Sequence, residues 1–175
     1  MVAVCGQKVK KGRELHFTFL LNHTDTLIME KDELIDVLLV EDNPDDTELT
    51  THALTEGNKS LHLLHLKDGV EALNFIFAKK SYDKQKVQNE LKLVLLDLKL
   101  PRLDGLEVLR KIREDERTRT LPVVILTSSR EKRDIAEAYK LGVNSYVVKP
   151  VGFDNYVKTI SSLAFYWSLV NEKPV

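Results

Sequence analysis

Cysteine is nearly absent from this chain: Cys5 stands alone among 175 residues. No intramolecular disulfide can form, and a reducing compartment, the cytoplasm, is the expected setting. Neither sign of charge prevails. Lysine and arginine number 26 against 27 aspartates and glutamates, a formal net charge of -1. That balance lacks the electrostatic footprint of a nucleic-acid binder or a membrane-surface protein, so neither partner is expected. No apolar run approaches the ~18 residues of a membrane span. Fixed-period repeats and low-complexity tracts are missing too. What is there is 43% hydrophobic and 30% charged, enough for one ordinary core at a length that suits one domain with some excess.

The excess lies at the start. Residues 1–28 carry Lys8, Lys10, Lys11 and Arg13, then an apolar stretch broken by His16 and Thr18. Asn22-His23-Thr24-Asp25 follows where a signal peptide would place small residues at a cleavage site. The segment reads as a disordered extension, with the domain over residues 29–175 and Met29 as an alternative start.

From residue 36 onward, short apolar runs alternate with helical patterns. Strands are expected over 36–40, 61–66, 93–96, 122–126 and 145–148; the runs ending the first and third are wholly apolar and read as buried on both faces, while the second is weaker for its two histidines. Helices are expected over 45–54, 70–78, 106–113, 134–141 and 153–169. Asn43-Pro44 suits a helix start, and Gly142 stops the fourth helix. A polar connection, long for its type, spans 79–92. Five strand–helix units imply a parallel sheet with right-handed crossovers and helices on both faces. No helix-turn-helix or catalytic output domain is expected after the last helix.

The strands end in chemistry. The first closes on Glu41-Asp42, the third on Asp97, the fourth on Thr127 and the fifth on Lys149. In a parallel sheet these positions share the carboxyl edge, where open α/β folds place their ligands. Three carboxylates gathered there repel one another and stay ionised together only around a cation. Hard oxygen donors suit Mg²⁺, and a partly free carboxylate can act as a nucleophile. A hydroxyl and an ammonium complete an inventory for phosphoryl transfer. Taken singly, each residue has a plainer reading. A carboxylate after a strand usually caps a helix, the reading preferred for Asp104. Thr127 could cap a turn, Lys149 could be a solvated loop charge, and Tyr146 could serve packing. His52, His62 and His65 are read as structural or solvated. The coincidence at four strand ends favours the functional reading of the set.

The runs Leu39-Val40-Glu41-Asp42-Asn43, Leu95-Leu96-Asp97-Leu98-Lys99-Leu100-Pro101-Arg102-Leu103-Asp104-Gly105, Thr127-Ser128 and Lys149-Pro150 resemble the receiver domain of two-component response regulators. The resemblance extends from residue 35 to the end. Asn43-Pro44-Asp45-Asp46, the long connection and the tail Phe165-Tyr166-Trp167 are similar to the stand-alone regulators paired with bacterial and cyanobacterial phytochromes.

The resemblance implies a flavodoxin-like (βα)5 fold, a doubly wound sheet of order 2-1-3-4-5. It implies a switch protein that assists its own phosphorylation and dephosphorylation rather than an enzyme. Asp97 matches the phosphoacceptor and Thr127 the hydroxyl that moves to the phosphoryl group. Lys149 matches the lysine that pairs with that group, and Tyr146 matches the aromatic switch. Asp42 and Asp97 match direct Mg²⁺ ligands and Glu41 a ligand through water. At Lys99 the backbone carbonyl completes the set. The Lys149–Pro150 peptide can be cis in this family. The implied partner is a sensor histidine kinase of phytochrome-like type.

Two positions depart from the family pattern. Lys99 stands two residues after Asp97 and Ser129 two after Thr127. Neither is suited to orienting an attacking water, so a long-lived phosphorylated state is expected. Lys99 also stands where an aspartate phosphatase would need its second aspartate, and the first strand-to-helix turn lacks the glycines of a nucleotide-binding loop. A non-phosphorylated protein-binding scaffold is the remaining alternative. The last helix carries Tyr156, Leu163, Tyr166 and Trp167, more apolar surface than one buried stripe needs. This suggests a homodimer through that helix and the fifth strand.

Overall fold

The computed structural model describes residues 35–56, 60–82 and 91–172; the extension expected over residues 1–28 lies outside them. Five parallel strands form one sheet in the order β2-β1-β3-β4-β5, as the resemblance implied. The strands are β1 (Val37–Val40), β2 (Leu63–Leu66), β3 (Leu93–Leu96), β4 (Val123–Thr127) and β5 (Ser145–Val148). The helices between and after them are α1 (Pro44–Glu56), α2 (Gly69–Tyr82), α3 (Gly105–Glu114), α4 (Lys132–Lys140) and α5 (Phe153–Phe165).

Alternation along the apolar strands divides the core in two. Leu38, Val40, Val94, Leu96, Val123 and Ile125 face α2 and α3, where Ala72, Ile76, Val108, Leu109 and Ile112 meet them, and Ala138 of α4 joins this cluster. Val37, Leu39, Leu93, Leu95, Val124 and Leu126 face the opposite way onto Ala53 and Leu54 of α1 and Tyr156, Ile160 and Ala164 of α5. β1 and β3 are wholly buried, which explains their unbroken apolar runs. β5, at the sheet edge, is half-buried throughout.

Local chemistry sets the element ends. Asn43 Oδ1 accepts from the amides of Asp45 and Asp46 at 2.9 and 3.2 Å, and Pro44 fills the first helical position, where its missing N–H costs nothing. Asp104 caps α3 by accepting from Leu106 N at 2.8 Å. Gly142, at φ 86°, ends α4 in a conformation that penalises other residues. Gly105 serves a different purpose. A Cβ there would lie 2.2 Å from the Asp97 carbonyl oxygen, so only glycine lets α3 begin so close to the end of β3.

Several boundaries differ from expectation. β2 starts at Leu63 because the amide of the preceding His62 turns aside to the Asp36 carboxylate at 3.0 Å. α2 continues to Tyr82, since alanine and lysine extend a helix readily. α4 starts at Lys132, with Asp134 inside its first turn. The last helix is not uniform: after Phe165 the chain widens into a π turn (Tyr166–Val170), closed by Asn171 N donating to Tyr166 O at 2.8 Å. No peptide among the described residues is cis, Lys149–Pro150 included; trans is the intrinsically preferred isomer even before proline.

Candidate phosphorylation site

Register brings the expected residues together. Val40 pairs with Leu96, so Glu41 and Asp97 leave the sheet side by side. Thr127 pairs with Val148 and sets Lys149 at the same edge. Oxygen atoms of Glu41, Asp42 and Asp97 lie within 4.8 Å of one another. Glu41 and Asp97 are buried, at 1% and 7% exposure, and Asp42 is exposed. Three oxygen donors at this separation fit a hard divalent cation with one side open to solvent.

Lys149 lies across the cluster. Its Nζ donates to Glu41 Oε2 at 2.6 Å, to Asp46 Oδ2 at 2.7 Å and to Asp97 Oδ2 at 3.3 Å. Burial opposes the ammonium, but the hydrogen bonds it donates to Asp46 and Glu41 outweigh that and raise the Lys149 pKa above the ordinary lysine range. Burial pushes the Glu41 carboxyl up, aided by the neighbouring Asp97 charge and only partly offset by Lys149. The site therefore concentrates negative charge that one lysine does not fully balance, a condition that favours a bound cation.

Backbone amides orient the carboxylates. Asp97 Oδ1 accepts from Leu98 N at 2.6 Å and, at the limit of hydrogen bonding, from Lys99 N at 3.4 Å. Glu41 Oε1 accepts from Asn43 N at 3.1 Å. His65 Nε2 donates to the Glu41 carbonyl at 2.8 Å. A carbonyl can only accept, so this bond places the ring proton on Nε2. His65 is structural, as expected, but its task is to fix the acidic turn.

Thr127 is fully buried, and its Oγ1 lies 3.4 Å from the donating Ser129 amide. The Tyr146 hydroxyl donates to the Ser129 carbonyl at 3.2 Å. The same short turn therefore meets both Thr127 and Tyr146. Ser129 Oγ donates to Asp134 Oδ2 at 2.7 Å, which turns it toward α4. On the other side, the loop after β3 is clipped to the start of α2 by an Arg102–Asp68 ion pair.

Asp46 is the residue that the strand-end pattern missed. It sits inside the first turn of α1, where an acid is common because the helix dipole favours it. Nothing at that position signals a contact with the end of β5.

The sequence matches the family described as Response regulator receiver domain over residues 37–161. The regulatory protein FilR2 of Methanothrix harundinacea is 35% identical over 147 residues, covering 84% of this chain and 92% of that protein. Response regulator Rcp1 of Synechocystis sp. is 34% identical over 131 residues, 75% of this chain and 87% of that protein. The crystal structure of the Mn²⁺-bound form of Rcp1 superimposes with a TM-score of 0.70 at 31% identity, covering 81% of this chain and 99% of that one. AtBRR, a bacteriophytochrome response regulator, is 46% identical in structural alignment, with a TM-score of 0.59 over 81% of this chain and 100% of that one.

Proposed function

The chain belongs to the family of response regulator receiver domains, and from that premise we propose that Asp97 is the residue that takes phosphate from a sensor histidine kinase. The observation that carries the assignment is the placement of Asp97 among Glu41, Asp42 and Lys149 at the carboxyl edge of the sheet. Glu41, Asp42 and Asp97, with the backbone carbonyl of Lys99, are the residues that would hold Mg²⁺. Bound there, the ion would offset charge on the carboxylates and the incoming phosphoryl group.

The chain's own groups do the rest. Leu98 N fixes one oxygen of Asp97 and so orients its carboxylate. The carboxylate attacks phosphorus, the P–O bond of an acyl phosphate forms, and the P–N bond to the kinase histidine breaks, leaving the histidine free. Lys149 shifts toward the phosphoryl oxygens. The Thr127 hydroxyl donates to one of them, and Tyr146 follows by leaving the Ser129 carbonyl. Thr127 and Tyr146 are the two-state element that the new charge biases. Ser129 is committed to Asp134, and Lys99 carries no acceptor to orient a water, so the acyl phosphate is long-lived.

The kinase is of phytochrome-like type, a reading supported by the name of AtBRR and its 46% identity. In the cell the protein is cytoplasmic, consistent with its single cysteine. The phosphorylated form acts by altered binding of the face formed by α4, β5 and α5, including association with a second copy.

Acetyl phosphate tests the site without the kinase. Wild-type protein should be labelled only with Mg²⁺ present. Asp42→Asn should fold normally but require far more Mg²⁺, since one of the carboxylate charges that would hold the ion is lost. Thr127→Ala should still be labelled yet respond poorly, because Thr127 serves the phosphorylated state. Asp97→Asn should not be labelled, since an amide is a poor nucleophile; labelling equal to wild type would sink the assignment.

A further inference from the structure

The three donors of the Lys149 ammonium are all engaged by carboxylates, and the longest contact is the one to Asp97. In the proposed reaction this lysine must turn to the phosphoryl group on Asp97. Its two shorter bonds oppose that movement. Glu41 belongs to the group that would share its charge with a cation, so its hold weakens when the metal binds. Asp46 lies outside that group. Its hold on Lys149 does not depend on the metal.

Asp46 is itself braced from behind. Thr50 Oγ1 donates to the Asp46 carbonyl at 2.7 Å, and Thr50 is fully buried. The Tyr156 hydroxyl lies 2.7 Å from the same Oγ1. Because the Thr50 proton is given to a carbonyl, Tyr156 must be the donor. Burial raises the Tyr156 pKa, so the hydroxyl keeps the proton it donates. A directed chain thus runs from buried Tyr156 on α5, through Thr50, to the first turn of α1, where the Asp46 carboxylate meets Lys149.

We propose that Asp46 is a positioning residue that restrains Lys149 in the unphosphorylated protein, and that the Tyr156–Thr50 hydroxyl pair anchors it to α5. Phosphorylation draws Lys149 away from Asp46 and releases this restraint. The first turn of α1 and its anchor on α5 thereby sense the state of the site by a route separate from Thr127 and Tyr146. The inference rests on the receiver reading of Asp97.

The test uses the full chain with saturating Mg²⁺ and beryllofluoride, a phosphoryl mimic, followed by the ¹⁵Nζ resonance of Lys149 in lysine-labelled protein. In wild type the resonance should move on beryllofluoride addition. In Asp46→Asn it should start part-way toward the bound position. Half-saturation by beryllofluoride should fall several-fold, while half-saturation by Mg²⁺ changes less than twofold. A merely structural residue would not split these two affinities or move that resonance. Tyr156→Phe, which keeps the ring in the core, should shift both readouts in the same direction by a smaller amount. Unchanged resonance and affinity in Asp46→Asn would overturn the proposal, as would weaker beryllofluoride binding. A wild-type protein that binds no beryllofluoride would instead overturn the reading of Asp97 itself.

Discussion

Asp68 illustrates how one carboxylate can hold two elements. Its Oδ1 accepts from the amides of Val70 and Glu71, both at 2.9 Å, and caps α2. Its Oδ2 takes the Arg102 guanidinium, clipping the loop that follows Asp97. Burial would raise its pKa, but the Glu71 amide and Arg102 together lower it below 3.8. A depressed folded-state pKa contributes stability that is fully present above the unfolded value and lost as pH falls through the folded one. Asp68→Ala should therefore cost about 1–2 kcal/mol in urea unfolding at neutral pH. The gap to wild type should close only as pH drops below 3.8. A gap that narrowed well above that pH would contradict the role given to the charge. The contrast with Asp46 explains what a sequence can disclose at this scale. Glu41, Asp42, Asp97 and Lys149 were legible because each directly follows an apolar strand. Asp46 was not, because an acid in a first helical turn is ordinary and its partner lies 103 residues away.

At the scale of elements, α5 departs most from its pattern. Tyr156 was expected to add to an exposed aromatic surface; instead it is 3% exposed and bonded to Thr50. Leu163 and Trp167 are half-buried against the core. Exposure falls further along, on Phe165, Tyr166, Leu169 and Val170, each about half exposed or more. Phe165 still belongs to α5, but Tyr166, Leu169 and Val170 lie in the π turn, whose extra residue per turn departs from a 3.6-residue stripe. Periodicity alone assumes one helical pitch and could not register this change. The strands were easier to locate, since β1, β3 and β4 are unbroken buried runs; their order came from the resemblance. A cluster of exposed large apolar side chains marks an interface, and we predict a homodimer through this end of the molecule, strengthened by phosphorylation. Sedimentation at tens of micromolar should show a dimer whose population rises with beryllofluoride. A monomer with and without the mimic would count against it.

At the scale of the whole molecule, the sheet and its two helical layers provide the core. The matched family region begins at residue 37, beyond the extension read from composition. The lysine-rich, broken apolar composition of residues 1–28 does not match the rest of the chain, and we expect them to add nothing to that core. Removing them should change the unfolding free energy by less than about 1 kcal/mol. A loss of several kcal/mol would mean that the segment docks on the domain.

The measurement that bears most directly on the central claim is chemical trapping of the phosphorylated residue. Protein labelled with acetyl phosphate and Mg²⁺ would be reduced with borohydride, which converts an acyl phosphate of aspartate to homoserine, and then mapped by peptide mass spectrometry. Homoserine should appear at position 97 and only after labelling. Its appearance at Asp42, Asp46 or any other carboxylate, with Asp97 unmodified, would contradict the assignment.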